Sequence, residues 1–284
     1  MTTSNATILG CGYVGEAVAR RWQDQGLVVT ATTTTPSRLS QLETLAQQTA
    51  LIKGSDRPAL VSLLQDQAVL LVSVGAPRSD AYRQTYLETA KSLATVLPDT
   101  PITQVIYTGS YAVYGDRQGA WVSEADEISP VNKNGEILAE TERILLDLAT
   151  ASRSVCVLRL GGIYGPGREL AKIFGRAADT TRPGAGDDAS NWVHLDDIVE
   201  AIDFARRQRL SGLYNLVQDA PPTTGELLHH VMQANDLPPV QWNPAARSTR
   251  PYNARVSNEK LKQAGYSFIH PLFFFQDRSG EASR

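Results

Sequence analysis

A strand-like apolar run, Ala6-Thr7-Ile8-Leu9, passes directly into Gly10-Cys11-Gly12-Tyr13-Val14-Gly15, and the residues up to Gln25 read as a helix. Few short sequences constrain a fold as much as this one. Gly10 permits a tight turn, Gly12 has no Cβ to obstruct a pyrophosphate, and Gly15 lets the helix lie close to the strand. The helix N-terminus adds unpaired N–H groups and the positive end of the helix dipole, a natural seat for phosphate. The same glycine spacing also occurs in ordinary strand-to-helix turns. A strand before it and a helix after it mark it as a dinucleotide-binding loop, with Gly10, Gly12, Tyr13, Val14 and Gly15 as cofactor-binding residues.

The pattern beyond the loop repeats the same unit. Apolar runs predict strands over 7–10, 27–32, 50–53, 68–74, 104–108 and 154–160, and helical patterns fall between them at 13–25, 36–47, 58–65, 80–97 and 135–150. Several strands are nearly continuous apolar runs, as expected of strands covered by helices on both faces. The alternation predicts an α/β fold, a Rossmann-type doubly wound parallel sheet. In the final third the rhythm breaks into Gly/Pro-rich loops such as Gly165-Pro166-Gly167 and Pro183-Gly184-Ala185-Gly186. Residues 1–165 are therefore expected to form the nucleotide-binding core. Residues 166–284 should form mainly a small substrate-side α+β lobe, with some segments returning to the core. The tail from Gln276 is expected to fray.

The end of the second strand chooses between cofactors. An acidic residue about 20 positions past the loop binds the ribose 2′-hydroxyl of NAD, whereas a basic one accommodates the 2′-phosphate of NADP. Here the chain reads Thr32-Thr33-Thr34-Thr35-Pro36-Ser37-Arg38, and the next carboxylate along it is Glu43. Hydroxyls of Thr33, Thr34 and Ser37 with the Arg38 guanidinium can hold a phosphate through charge-assisted hydrogen bonds. NADP is preferred over NAD on this ground. Asp56 lies either near the adenine or at a helix N-cap.

Composition excludes several other classes. A net charge of −3 and a pI near 5.8 give no reason to expect nucleic acid or an anionic membrane surface. No apolar run approaches the roughly 18–20 residues that span a bilayer, and nothing resembles a secretory leader. The expected partner is a small-molecule substrate, and the expected location is the cytoplasm. The long helices at 80–97 and 135–150 are candidates for a homodimer interface. Cys11 and Cys156 read as packing residues, and no Cys/His/Asp/Glu group has ligand spacing, so no metal is expected.

Three further segments carry a family resemblance. Val105-Ile106-Tyr107-Thr108-Gly109-Ser110-Tyr111-Ala112-Val113-Tyr114-Gly115 resembles the strand and Ser-x-x-x-Tyr-Gly segment of extended short-chain dehydrogenase/reductases of the NAD(P)-dependent epimerase/dehydratase type. Leu158-Arg159-Leu160-Gly161-Gly162-Ile163-Tyr164-Gly165-Pro166-Gly167-Arg168 resembles that family's sixth strand and following loop. Trp192-Val193-His194-Leu195-Asp196-Asp197-Ile198 resembles its later strand-to-helix junction. The resemblance implies a nicotinamide-dependent oxidoreductase or epimerase acting on a small, sugar-like metabolite, with Ser110 bonding a substrate oxygen.

This chain departs from the family pattern at the proton-transfer pair. Counting back from Glu140, the family's Tyr-x-x-x-Lys falls on Asn132 and Glu136. Asn132 cannot transfer a proton, and Glu136 would disfavour ionisation of a nearby phenol. Tyr111 or a water is the replacement acid expected beside Ser110, with Tyr114 more naturally structural. Gly162 stands where sugar-nucleotide enzymes of this family often carry an asparagine, which weakens a nucleotide-sugar assignment. Asp196 or Asp197 is read as a helix cap. The rival to an enzyme is a non-catalytic NADP(H)-binding redox sensor or scaffold.

Overall fold

The computed structural model describes residues 5–273, together with the backbone of 275–276 and 282–283. In chain order the elements run β1 (Asn5–Leu9), α1 (Tyr13–Asp24), β2 (Val28–Thr33), α2 (Leu39–Leu42), β3 (Gln48–Leu51), α3 (Arg57–Leu64), β4 (Val69–Val72), α4 (Glu88–Val96) and β5 (Gln104–Ser110). They continue with β6 (Trp121–Val122), α5 (Lys133–Leu146), β7 (Ser154–Leu160), β8 (Gly162–Tyr164), α6 (Leu170–Phe174), β9 (Thr181–Pro183) and β10 (Trp192–His194). The last are α7 (Leu195–Gln208), β11 (Gly212–Leu216), α8 (Thr224–Ala234), β12 (Gln241–Asn243), β13 (Arg255–Val256) and α9 (Glu259–Gln263). The frayed tail expected from Gln276 lies outside the described residues, apart from the backbone positions given above.

Seven strands form one parallel sheet in the order β11-β7-β5-β4-β1-β2-β3, a Rossmann-type doubly wound arrangement. The chain winds from β1 outward to β3, then returns to the other side of β1 and winds outward through β4 and β5. The carboxyl ends of β1 and β4 are therefore the topological switch point, where ligands bind in open α/β sheets. The apolar runs are buried as their continuity requires: all four residues of β4 are inaccessible or nearly so, and α1 turns Val14, Val18, Ala19 and Trp22 inward. Each fully buried Val or Leu among them contributes about 1.5–3 kcal/mol of transfer free energy.

The chain forms two compact units. One comprises the residues up to Ser110, Asn132–Arg159 and Val199–Tyr214; the other comprises Tyr111–Val131, Leu160–Ile198 and the chain from Asn215. Segment 111–131 thus goes with the later unit and segment 199–214 with the earlier one.

The second unit is built from short parallel ladders, β8 with β10, β9 with β12 and β6 with β13. One of its cores gathers Tyr111, Tyr114, Val122, Val217, Ala254 and Val256. Another packs Leu227, Leu228, Val231 and Met232 of α8 around Ala177. Thr223 and Glu226 close α8 with a reciprocal capping box.

Three local expectations shift. The helix expected over 36–47 is a 3-10 turn at Pro36–Arg38 followed by the single turn of α2, because β3 begins at Gln48. That strand starts two residues earlier than expected, its register set by pairing from Thr30↔Gln48 to Thr33↔Leu51. It is an edge strand with an exposed Leu51, so burial leaves little trace of its bounds. The segment 80–97 opens with a 3-10 turn and a π-helical stretch at Arg83–Leu87 before α4.

Candidate active site

The three glycines of the first loop differ in what a side chain would meet. Gly10 has φ +88°, and a Cβ there would come within 2.8 Å of the Ser73 carbonyl oxygen and Val74 Cα. The loop therefore turns directly against the end of β4, at the switch point. A Cβ on Gly15 would meet the Gly10 oxygen at 3.0 Å and Ile8 Cγ2 at 3.1 Å, which is the close approach of α1 to β1. Among the described residues, no atom beyond its chain neighbours lies within 4 Å of a Cβ at Gly12. Gly12 is also the N-cap of α1 and caps it with no side chain. The loop thus presents an open face at the positive end of a helix. Tyr13 and Val14 begin that helix; Val14 turns its side chain into the core, which leaves its backbone as the part able to face a ligand.

The loop is tied to the second strand. Cys11 N donates to the Thr32 carbonyl and Gly10 N to Thr32 Oγ1. Burial pushes the Cys11 thiol up to about 12, with Glu16 adding to the effect, so it stays protonated. At the end of β2, Thr33 is buried and its hydroxyl accepts from Thr35 N at 3.1 Å, whereas Thr34 and Ser37 are exposed. The Arg38 guanidinium donates to Glu16 Oε1 on the first turn of α1, and Gln41 Nε2 lies 3.2 Å from both oxygens of the same carboxylate. The linear count of carboxylates after β2 missed this, because Glu16 reaches Arg38 from the preceding helix. Asp56 is the N-cap of α3, its side chain accepting from Ala59 N.

Further along the sheet, β5 ends at Ser110, half-buried, and Thr108 Oγ1 sits 3.3 Å from Ser73 Oγ. Tyr111 opens a 3-10 turn that runs to Tyr114, so strand alternation does not carry past Ser110. The Tyr111 ring is buried edge-on against Tyr252, and its hydroxyl accepts from Arg250 Nη2 at 3.2 Å. Arg250 also donates to Thr224 Oγ1 and to the Tyr252 carbonyl. Burial pushes the Tyr111 phenol above its ordinary value; the Arg250 guanidinium pulls the other way without winning. Arg250 was absent from the sequence reading, since it stands 139 residues from Tyr111 with no motif around it. Tyr114 is fully buried and donates to Asn215 Oδ1, a structural role.

The model of the NAD dependent epimerase/dehydratase family matches residues 6–216, a span that includes the glycine loop, β5 and the strand of Arg159. The chain belongs to that family. Protein YeeZ of Escherichia coli K12 is 30% identical over 275 residues, covering 93% of this chain and 95% of YeeZ. MoeE5, solved in complex with UDP-glucose and NAD, superposes with a TM-score of 0.78 at 18% identity, over 98% of this chain and 96% of that one. A human epimerase family protein solved with NADPH gives a TM-score of 0.75 at 16% identity, covering 94% of this chain and 96% of that one. At these identities the two structures establish the shared fold.

At the positions where the family resemblance puts the proton-transfer pair stand Asn132 and Glu136. Asn132 is the N-cap of α5, its Oδ1 accepting from Gly135 N at 2.9 Å, and Glu136 is an exposed first-turn residue. The helix glutamate that is buried is Glu142, ion-paired to Arg159 at 2.8 Å; Glu140 is exposed. Counting back from Glu142 instead gives Asn134 and Leu138, so neither count yields a tyrosine or a lysine. Burial pushes the Glu142 carboxyl up and Arg159 opposes this. A Cβ on Gly109 would approach Glu142 Oε1 to 2.9 Å, so the glycine beside Ser110 makes room for the pair.

Gly162 also has a reason in the structure. A Cβ there would lie 2.7 Å from the Trp192 ring, so an indole fills the space a longer side chain would enter. Tyr164 accepts from Gln218 Nε2 at 2.8 Å and packs against His194 and Phe273, and burial raises its phenol. The exposed Arg168 donates from Nε to the Ile163 carbonyl, and the His229 and His230 rings meet edge-on on α8.

The helix-cap reading of the aspartates at 196 and 197 needs correcting. His194 Nδ1 accepts from Asp196 N and caps α7, while Asp197, fully buried, takes hydrogen bonds from Tyr266 Oη and from the backbone N–H of Ile269 and His270. Asp197 thereby holds the 266–270 segment in place. Burial, and His270 facing it, lower the His194 pKa. Among the described residues no helix is long and apolar enough to cross a membrane.

Proposed function

We propose that this chain is a nicotinamide-dependent oxidoreductase or epimerase that prefers NADP, acts on a small sugar-like metabolite, and works without the Tyr-x-x-x-Lys pair. The observation that carries the reading is the glycine loop: Gly10 and Gly15 are glycines because backbone is close, whereas Gly12 faces open space at a helix N-terminus. That is the shape a pyrophosphate needs. Both MoeE5 and the human relative carry nicotinamide dinucleotides, and MoeE5 a UDP-sugar. A bound dinucleotide supplies the hydride; the chain supplies the rest.

In this reading Gly10, Gly12, Tyr13, Val14 and Gly15 hold the pyrophosphate. Thr33, Thr34, Ser37 and Arg38 form the end that meets the ribose. Arg38 presents several N–H donors, so pairing with Glu16 leaves others for a 2′-phosphate. Ser110 orients the substrate oxygen. Tyr111, kept protonated by burial and held by Arg250, acts as a donor rather than a base. The location read for such an enzyme is the cytoplasm, residues 1–165 supply the nucleotide-binding core and 166–284 mainly the substrate-side lobe with some segments returning to the core, and a homodimer through 80–97 and 135–150 is the expected assembly.

A second reading, a non-catalytic NADP(H) sensor or scaffold, is favoured by Asn132 serving only as a cap. One experiment separates the two. The protein is loaded with NADPH deuterated on one or the other face of nicotinamide C4, given a metabolite extract, and followed by mass spectrometry. Label leaving one face, and only with Ser110 intact, supports the enzyme. Tight binding with the label retained supports the sensor. Absence of NADPH binding overturns both.

A further inference from the structure

We infer that His194, Asp196 and His270 form a binding site for a divalent transition metal of the zinc class, with one coordination position open to a ligand. The three side chains converge from distant places: His194 ends β10, Asp196 lies in the first turn of α7, and His270 follows α9. One donor atom from each lies within 4.8 Å of the others. The Asp196 carboxylate oxygen is 3.3 Å from His194 Nδ1 and 3.1 Å from His270 Nε2. Donors about 2.0–2.1 Å from a tetrahedral zinc stand about 3.3 Å apart, so these edges already match. The rings of His194 and His270 lie 3.9 Å apart, centroid to centroid.

Two nitrogens and one carboxylate oxygen suit zinc, cobalt, nickel or copper better than magnesium or calcium. Three protein ligands with a free fourth place is the pattern of zinc sites that bind a water or substrate oxygen. The Asp196 side chain is 53% exposed, which leaves that place accessible, while the His194 side chain is only 14% exposed.

The backbone of this site is held in position by bonds that do not use the donor atoms at 270. His270 N donates to Asp197 Oδ2, and its carbonyl accepts from Gln218 Nε2. His194 pairs in the β8–β10 ladder opposite Tyr164, whose ring meets the imidazole edge-on at 5.0 Å. Such supports orient ligands before the metal arrives. Binding through His194 Nδ1 gives up the 3.2 Å hydrogen bond from Asp196 N, a modest cost against three metal bonds.

The test uses the full chain with any affinity tag removed. Zn2+ is titrated and bound metal counted after gel filtration; Co2+ is titrated in parallel and its visible spectrum recorded. The expected result is about one equivalent per chain and Co2+ bands of four-coordinate intensity. Asp196→Asn and His270→Ala should each weaken binding at least about tenfold, since even outer partners of a metal are worth that much. The double variant His229→Ala, His230→Ala should bind normally. The chain has 4 histidines, so imidazole NMR of the wild type gives a reading that needs no variant. Two sets of signals should shift with Zn2+ and two should stay. No stoichiometric binding, or binding lost with His229 and His230 instead, overturns the site.

Discussion

Alanine at Gly12 and alanine at Gly10 should separate two roles that the glycine spacing alone merges. Gly12 has φ −96° and, among the described residues beyond its chain neighbours, no atom within 4 Å of a Cβ. Gly12→Ala should therefore leave the fold intact, and by narrowing the unfolded ensemble raise stability by about 0.4–1 kcal/mol. The new methyl would stand where the proposed dinucleotide's pyrophosphate approaches, so affinity for NADPH should fall at least tenfold, about 1.4 kcal/mol or more. Gly10→Ala is the reverse case. Its φ of +88° costs an alanine about 1–2 kcal/mol. The Cβ at 2.8 Å from Ser73 and Val74 backbone adds about 1–3 kcal/mol of overpacking, so the total loss is about 2–5 kcal/mol. Urea unfolding followed by circular dichroism measures the stability, and the fluorescence of bound NADPH measures the affinity. Gly12→Ala binding NADPH like the wild type would refute the reasoning, as would a loss of stability matching that of Gly10→Ala.

Three other outcomes follow from the same structure. Arg38→Ala should weaken NADPH by roughly 10- to 100-fold, the worth of charge-assisted bonds to a phosphate, and leave NADH unchanged; Glu16→Gln, which frees Arg38, should tighten NADPH, and isothermal titration with both nucleotides checks each. Arg159→Met leaves Glu142 buried without its partner and should cost about 3–5 kcal/mol in urea unfolding, much of it regained by adding Glu142→Leu. Asp203 is buried, which raises its carboxyl, but Gln25, Arg206 and Arg207 outweigh this and hold it below the usual range. Its stabilisation is present above the unfolded value of about 3.9 and lost as pH falls through the lower folded value. Asp203→Asn should flatten that acid limb, and stability unchanged between pH 5 and 2 in the wild type would contradict it.

Much was legible in the sequence where chemistry is local. The tight turn at Gly10 and the close helix-to-strand approach at Gly15 follow from chain stereochemistry, and continuous apolar runs identify strands covered on both faces, so the parallel sheet was readable from periodicity. The edge strand β3 and the one-turn helix α2 were poorly legible because burial imprints little pattern on short, exposed elements. The ladders of β6, β8, β9, β10, β12 and β13 have two or three residues each, too short for any period to register.

What tertiary structure alone decided are the meetings of residues far apart in the chain. Sequence named Arg38 as a phosphate ligand but could not see Glu16 reaching it from α1. It named Tyr111 but not Arg250, which holds the phenol's hydroxyl, and nothing in it joined His194 and Asp196 to His270, 74 residues beyond Asp196. It read Asp196 or Asp197 as a cap, whereas burial makes the Asp197 carboxylate the anchor of the 266–270 segment. The physical reason is common to all of them. Backbone geometry and hydrophobic period depend on neighbours a few residues apart, so the chain carries them openly. Ion pairs, donor sets and buried hydrogen bonds depend on distances in space, which exist only after the sheet and its ladders have closed.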